Sequence, residues 1–208
     1  MPSQFPAFSR LLHWTMAAMK AFLERHPETA QALSVIKSQP VASGFENTTF
    51  YGLNAFRFIS SSGESTTVRW LLTPITPFEA AGNASAARDT NYLFDALIAH
   101  IGRQPLRWQL VVVIGQPRDP THDATVAWPA DRERVVVGTL TVDRADAEET
   151  SAATDINFDP LVLPAGIAPS DDPLLGARSA VYARSFTRRE GETKQPSAIR
   201  AADVRKEK

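Results

Sequence analysis

The chain has 208 residues, 43% hydrophobic and 22% charged, with 22 Lys and Arg against 23 Asp and Glu and no cysteine. That length fits one domain or little more, and the composition excludes wholesale disorder, collagen and coiled coil. A net charge of −1 gives no global attraction to nucleic acid or an anionic membrane, and the lack of cysteine removes disulfides, zinc ribbons, iron–sulfur clusters and thiol nucleophiles.

No apolar run approaches the roughly 20 residues of a membrane span. The longest candidate, around Leu11–Leu23, is broken by His13 and Lys20. The N-terminus lacks the charged start, apolar stretch and cleavage site of a signal peptide. The expectation is a soluble chain, cytoplasmic as written, with a periplasmic location open if an export signal lies upstream.

In chain order, residues 5–25 read as an amphipathic helix, because Phe8, Leu11, Leu12, Met16, Met19, Phe22 and Leu23 recur at three- and four-residue steps. A second helix is predicted over Glu28–Ser38, opened by Pro27 and stopped by Pro40. Both apolar stripes read as core or interface packing. The period then changes. Thr49–Ile59 and Thr66–Leu72 alternate as strands around a turn at Ser60–Ser65 with Gly63, which predicts a hairpin. Residues 74–89 read as a connection. Asn91–Ile101 reads as a helix ended by Gly102, Leu106–Ile114 and Val135–Val142 as strands, and Pro117–Asp131 as a loop. Ile156–Pro173 is extended and proline-punctuated. Pro173–Arg189 reads as a helix with Asp171 or Asp172 as N-cap. The segment after Glu190 is polar and charged and is expected to be a disordered tail. Strands in antiparallel-friendly connections with helices at both ends give an α+β class.

The last helix carries the candidate chemistry. Leu174, Arg178 and Tyr182 stand at i, i+4 and i+8, and Arg189 returns to the same face if the helix continues. A phenol titrates near ~10 in water, and an adjacent cation favours its ionised form. Such a phenolate is a strong ligand for ferric iron, and the second guanidinium suits a carboxylate such as a haem propionate. The same spacing fits a tyrosine stacked on an arginine at a helix–sheet contact, and spacing alone leaves both readings open.

The surrounding residues narrow the choice. Phe158-Asp159-Pro160, Gly166-Ile167-Ala168-Pro169-Ser170, Arg178 and Tyr182 follow one another in the order and spacing of a known proximal haem segment. The stretch resembles that of the catalase superfamily. Asp119-Pro120, Trp128-Pro129, Val137-Gly138-Thr139-Leu140 and the run from Asn47 to Phe58 are similar to the family as well, so the resemblance covers about residues 17–190. It is to the small catalase-related peroxidase rather than the large catalase. Two departures mark that branch: Ala183-Arg184-Ser185-Phe186 follows the tyrosine, where large catalases write Pro-Asp-Thr-His, and Asn54 stands where they have a histidine.

The resemblance implies the second half of a catalase-type antiparallel β-barrel with flanking helices. It implies haem b as cofactor, with Tyr182 as axial iron ligand, Arg178 stabilising the phenolate, Arg189 at a propionate, and Phe158 and Leu174 packing near the macrocycle. It further implies an oxidoreductase that consumes hydrogen peroxide or organic peroxides with a small-molecule electron donor, in response to oxidative stress. A homo-oligomer is compatible with it; nucleic acid and membrane partners are not expected. Residues 1–189 would form a partial haem domain and 190–208 the tail.

The family's distal histidine, in an Arg-x-x-His-Ala-x-Gly context, acts as base and acid on the peroxide. It belongs to the half that precedes the matched region. Arg10-Leu11-Leu12-His13 has the start of that motif but no glycine and sits too close to the Asn47–Phe58 run. His26 lies at a helix junction, His100 ends a helix and His122 is in a loop. The expectation is therefore a truncated chain lacking the distal histidine. The alternative is a non-catalytic haem-binding or structural remnant.

Overall fold

The computed structural model describes residues 17–81, 91–193, 197 and 199–204. The chain divides into two compact units, Met1–Pro40 and Val41–Lys208. The first contains α1, at 17–25, and α2, Pro27–Ser38, which starts with proline at its first turn. The predicted helix over 5–25 is present in its second part; its first part, with Phe8, Leu11, Leu12, His13 and Met16, lies outside the described residues. Met19, Phe22, Val35 and Ile36 are exposed.

The second unit is built on a six-stranded antiparallel sheet. Its strands are β1 (Phe50–Tyr51), β2 (Phe56–Ile59), β3 (Ser65–Pro74), β4 (Leu106–Ile114), β5 (Arg134–Val142) and β6 (Ile167–Pro169). The order is β5-β4-β3-β2-β6, with β1 also on β3. Helix α3, Tyr92–Arg103, precedes β4; α4, Pro173–Gly191, follows β6; and one turn, α5, covers Ala201–Val204. The fold is α+β, as predicted. Gly102 lies inside α3 and does not end it. Of the segment expected as a tail, Ala201–Val204 is helical, and the Ala201 amide donates to the Glu149 carboxylate.

The strand predicted over Thr49–Ile59 is interrupted. β1 and β2 both pair with β3, but Tyr51 faces Leu71 while Phe56 faces Val68, so residues 52–55 leave the ladder. Gly52 explains the break. Its amide donates to the Trp70 carbonyl at 2.9 Å, and a Cβ at this position would lie 2.6 Å from the Trp70 ring. Only glycine permits that approach. The excursion turns Asn54 and Ala55 into the interior.

Phe56, Val68, Val112 and Leu175 form the buried core, with Phe58, Trp70, Ile114, Leu163 and Ile167 against it. Phe56 stacks on Trp70 with centroids 4.4 Å apart. Leu175 thus packs α4 onto the sheet one turn into the helix. A register shift between Leu110 and Val111 leaves Val137 as an extra residue on β5. The extra residue makes a bulge on β5, while the pairing of β4 with β3 runs on unbroken.

The loop after β4 is fastened by charge. Arg69 on β3 is buried, donates to the carbonyls of Val126, Pro120 and Asp123, and lies 4.6 Å over the Trp128 ring. Burial pushes its pKa down, and Asp119, Asp172 and Asp123 oppose that shift. Asp119 takes both Nε and Nη2 of Arg132 at 2.7 and 2.8 Å. Those hydrogen bonds hold its carboxyl below the usual carboxylate range.

Two outcomes follow from this packing. Leu175→Ala removes a side chain that is 1% exposed, and is expected to cost about 2–5 kcal/mol in urea unfolding. A loss under about 1 kcal/mol would show that α4 is not fastened through this residue. For Asp119 the folded pKa is depressed, so its contribution is complete above the unfolded value of about 4 and disappears as pH falls through the folded one. Thermal midpoints from pH 7 to pH 3 should therefore fall more steeply for the unaltered chain than for Asp119→Asn. Parallel curves would contradict the assignment.

Candidate functional site

The site is assembled at the start of α4. Asp172 is its N-cap: Oδ1 accepts from the Leu174 amide at 2.8 Å, and Pro173 occupies the first turn. Proline at that position forfeits no helical hydrogen bond, and a carboxylate there faces the positive end of the helix dipole. Of the two predicted caps, Asp172 is the one used; Asp171 accepts instead from the Thr121 hydroxyl.

Asp172 has a second partner. Its Oδ2 accepts from Asn54 Nδ2 at 2.9 Å, and Asn54 Oδ1 accepts from Arg178 Nη1 at 2.8 Å. Arg178 then donates to the Tyr182 hydroxyl through Nε at 3.3 Å and Nη2 at 3.2 Å. Asp172 and Asn54 are buried, and Arg178 and Tyr182 half-buried. One hydrogen-bonded line therefore runs from the helix cap to the phenol oxygen. The predicted pair Arg178 and Tyr182 is brought together. Asn54 and Asp172 were not picked out as site residues. The sequence marks Asn54 only as a departure from the large catalases; its contacts with Asp172 and Arg178 depend on the excursion at residues 52–55.

The remaining predicted residues lie along the same helix and the loop before it. Leu174, one turn before Arg178, is 47% exposed, and Val181 beside Tyr182 is exposed as well. Arg189 donates to the Ile156 carbonyl at 3.3 Å and lies over the Phe186 ring. Ser179 donates to Asp159 at 2.8 Å. These two ties, at Ile156 and Asp159, bracket Phe158, whose ring is 71% exposed. Val162, in the same loop, is also exposed. The result is a phenol oxygen carrying two guanidinium donors, on a helix whose apolar side chains Leu174 and Val181 are exposed.

His26 and His100 pair with Glu28 and Glu46, at 3.0 and 3.5 Å. Among the described residues there is no cluster of three or more His, Cys, Asp or Glu suited to a metal, and no helix long and apolar enough to cross a membrane.

Comparison with known proteins agrees with this architecture. The Catalase family model matches residues 7–204. A catalase-related peroxidase from Synechococcus elongatus is 38% identical over 172 residues, which is 82% of this chain and 51% of the relative. One from Mycolicibacterium paratuberculosis is 35% identical over 180 residues, covering 85% of this chain and 57% of the relative. This chain thus spans about half the length of those relatives. A bacterial catalase structure shares the fold, with a TM-score of 0.70 over 82% of this chain and 36% of that one, at 22% identity. The sheet and its closing helix, the family model across nearly the whole chain and relatives above one-third identity lead to one conclusion: the chain belongs to the catalase family.

Proposed function

We propose that this chain carries the iron-ligand side of a haem-dependent, peroxide-consuming oxidoreductase of the catalase-related peroxidase type. The observation that supports it is the Tyr182 oxygen with two N–H donors from Arg178. A guanidinium donating twice to one oxygen stabilises negative charge there. The donor set fits ferric haem: an oxygen ligand able to carry charge, and exposed apolar side chains at Leu174, Val181, Phe158 and Val162 suited to a flat macrocycle. On this reading Tyr182 would hold the iron, Arg178 would stabilise the phenolate oxygen, and Arg189, which here donates to the Ile156 carbonyl, would take a propionate. Haem, when bound, supplies the redox chemistry that reduces peroxide.

The relatives' name, catalase-related peroxidase, supports peroxide as substrate, and the reading adds a small-molecule electron donor. The distal acid–base pair falls, on this reading, in the part of the relatives' length that this chain does not span. On this reading the 1–189 region is a partial haem domain and 190–208 the tail, and a homo-oligomer is compatible with it.

A haemin titration followed by absorbance tests the reading. The unaltered chain is expected to give a saturable high-spin ferric spectrum. Tyr182→Phe should lose it, and Arg178→Ala should weaken binding by about 10–100-fold. Equal, weak binding by the unaltered chain and Tyr182→Phe would leave a structural remnant without its cofactor.

A further inference from the structure

β5 stands at one end of the sheet order, with β4 as its one neighbour in the sheet among the described residues. A strand in that place carries a row of backbone N–H and C=O groups without a ladder partner on its outer side. Such edges are commonly guarded by charge, proline or brevity. β5 has nine residues, and from Val135 to Val142 it contains no charge and no proline. Val135, Val136, Val137 and Leu140 are exposed on it. The charges gather at its two ends, Glu133 and Arg134 before the apolar run and Asp143 and Arg144 after it.

That order is self-complementary in an antiparallel pair. Arg134 of one copy would meet Asp143 of a second copy, and Glu133 would meet Arg144, at both ends of the contact. A regular strand could not do this. Directly opposed side chains of antiparallel strands share a face. A two-fold axis between identical strands keeps each residue on the same face in both copies. Two residues can therefore oppose each other only if they share a face within one copy. Arg134 and Asp143 are nine positions apart, and in a regular strand an odd separation puts them on opposite faces.

The bulge at Val137 reverses this. Val136 pairs with Val111 and Gly138 with Leu110, consecutive residues of a strand whose pairing with β3 is unbroken. Leu110 and Val111 point to opposite faces, so Val136 and Gly138 do as well. Continued alternation then places Arg134 and Asp143 on one face, and Glu133 and Arg144 on the other. With Val137 out of the ladder in both copies, the axis passes through Thr139, and Gly138 faces Leu140 of the second copy. Nothing lies within 4 Å of the place a Gly138 Cβ would take, which leaves room for that leucine. A slip of two residues would set Glu133 against Asp146 in one direction, and Arg134 against uncharged Thr141 in the other. Arg144 is held by Asp146 of its own chain at 3.0 Å, so Arg134 with Asp143 is the principal pair.

We propose that β5 is a self-pairing edge, through which two copies of this chain join antiparallel about Thr139 into one continuous sheet. This assigns a surface to the homo-oligomer compatible with the reading above, and it requires no haem.

Sedimentation equilibrium of the full chain over about 1–100 µM, at low salt, tests the pairing. The unaltered chain is expected to show a monomer–dimer equilibrium. Arg134→Glu and Asp143→Arg should each weaken it by about tenfold, because each sets like charges opposite one another at both ends. The two together restore the pairing and should return dimerisation to within about twofold of the unaltered chain. Both positions are exposed and outside the core, so the variants keep the fold. The chain has no cysteine, which allows a second reading of the register. Thr139→Cys opposes itself across the axis and should form a disulfide-linked dimer on mild oxidation. Val136→Cys, about 13 Å from its counterpart along the strands, should do so at least about tenfold more slowly. A chain that is monomeric throughout, a dimer that the charge swap does not restore, or equal cross-linking at both positions would overturn the proposal. So would a monomer that takes up, one to one, the part of the Synechococcus elongatus relative that this chain does not span; the edge would then belong to that partner.

Discussion

A buried carboxylate at the head of α4 is the constraint around which the site is arranged. Asp172 is 5% exposed, and a charge in that position is costly unless every lone pair is used. One oxygen is taken by the Leu174 amide and the other by Asn54. The dipole of a 19-residue helix adds a favourable field within its first turn. The same residue that starts the helix therefore fixes the far end of the line that reaches Tyr182. Leu175, one residue past Leu174, seats the helix in the core, so cap, packing and functional face are set within four consecutive residues.

The relation between sequence and structure is uneven along the chain. Helix α4 was legible because its signals are local: an acidic cap, proline in the first turn, and an apolar, cationic and phenolic strip at helical spacing. The strands β3, β4 and β5 were legible from alternation and apolar runs. The break between β1 and β2 was not, since it follows from the approach of Gly52 to Trp70, a partner 18 positions away. The partners of Asn54 were hidden for the same reason. It is joined to residues 118 and 124 positions on, and nothing in its neighbourhood signals that. Gly102 misled because a glycine near a helix end is a common stop, whereas α3 runs one residue further.

β5 shows how composition and burial diverge. Its run of Val135, Val136 and Val137, with Leu140, is what a strand covered on its faces is made of. In the described chain these four residues are exposed, and the strand stands at one end of the sheet order. Phe158, Val162 and Leu174, on α4 and the loop before it, present apolar surface in the same way. Such surfaces favour association with something apolar. Around Tyr182 the account assigns that role to a haem macrocycle.

Resonance Raman spectroscopy of the haemin-loaded chain, excited in the phenolate-to-iron charge-transfer band, tests this most directly. The account predicts tyrosinate ring modes that shift when the protein is made with ring-deuterated tyrosine and that vanish in Tyr182→Phe. A spectrum without such modes, or one unchanged by Tyr182→Phe, would contradict it.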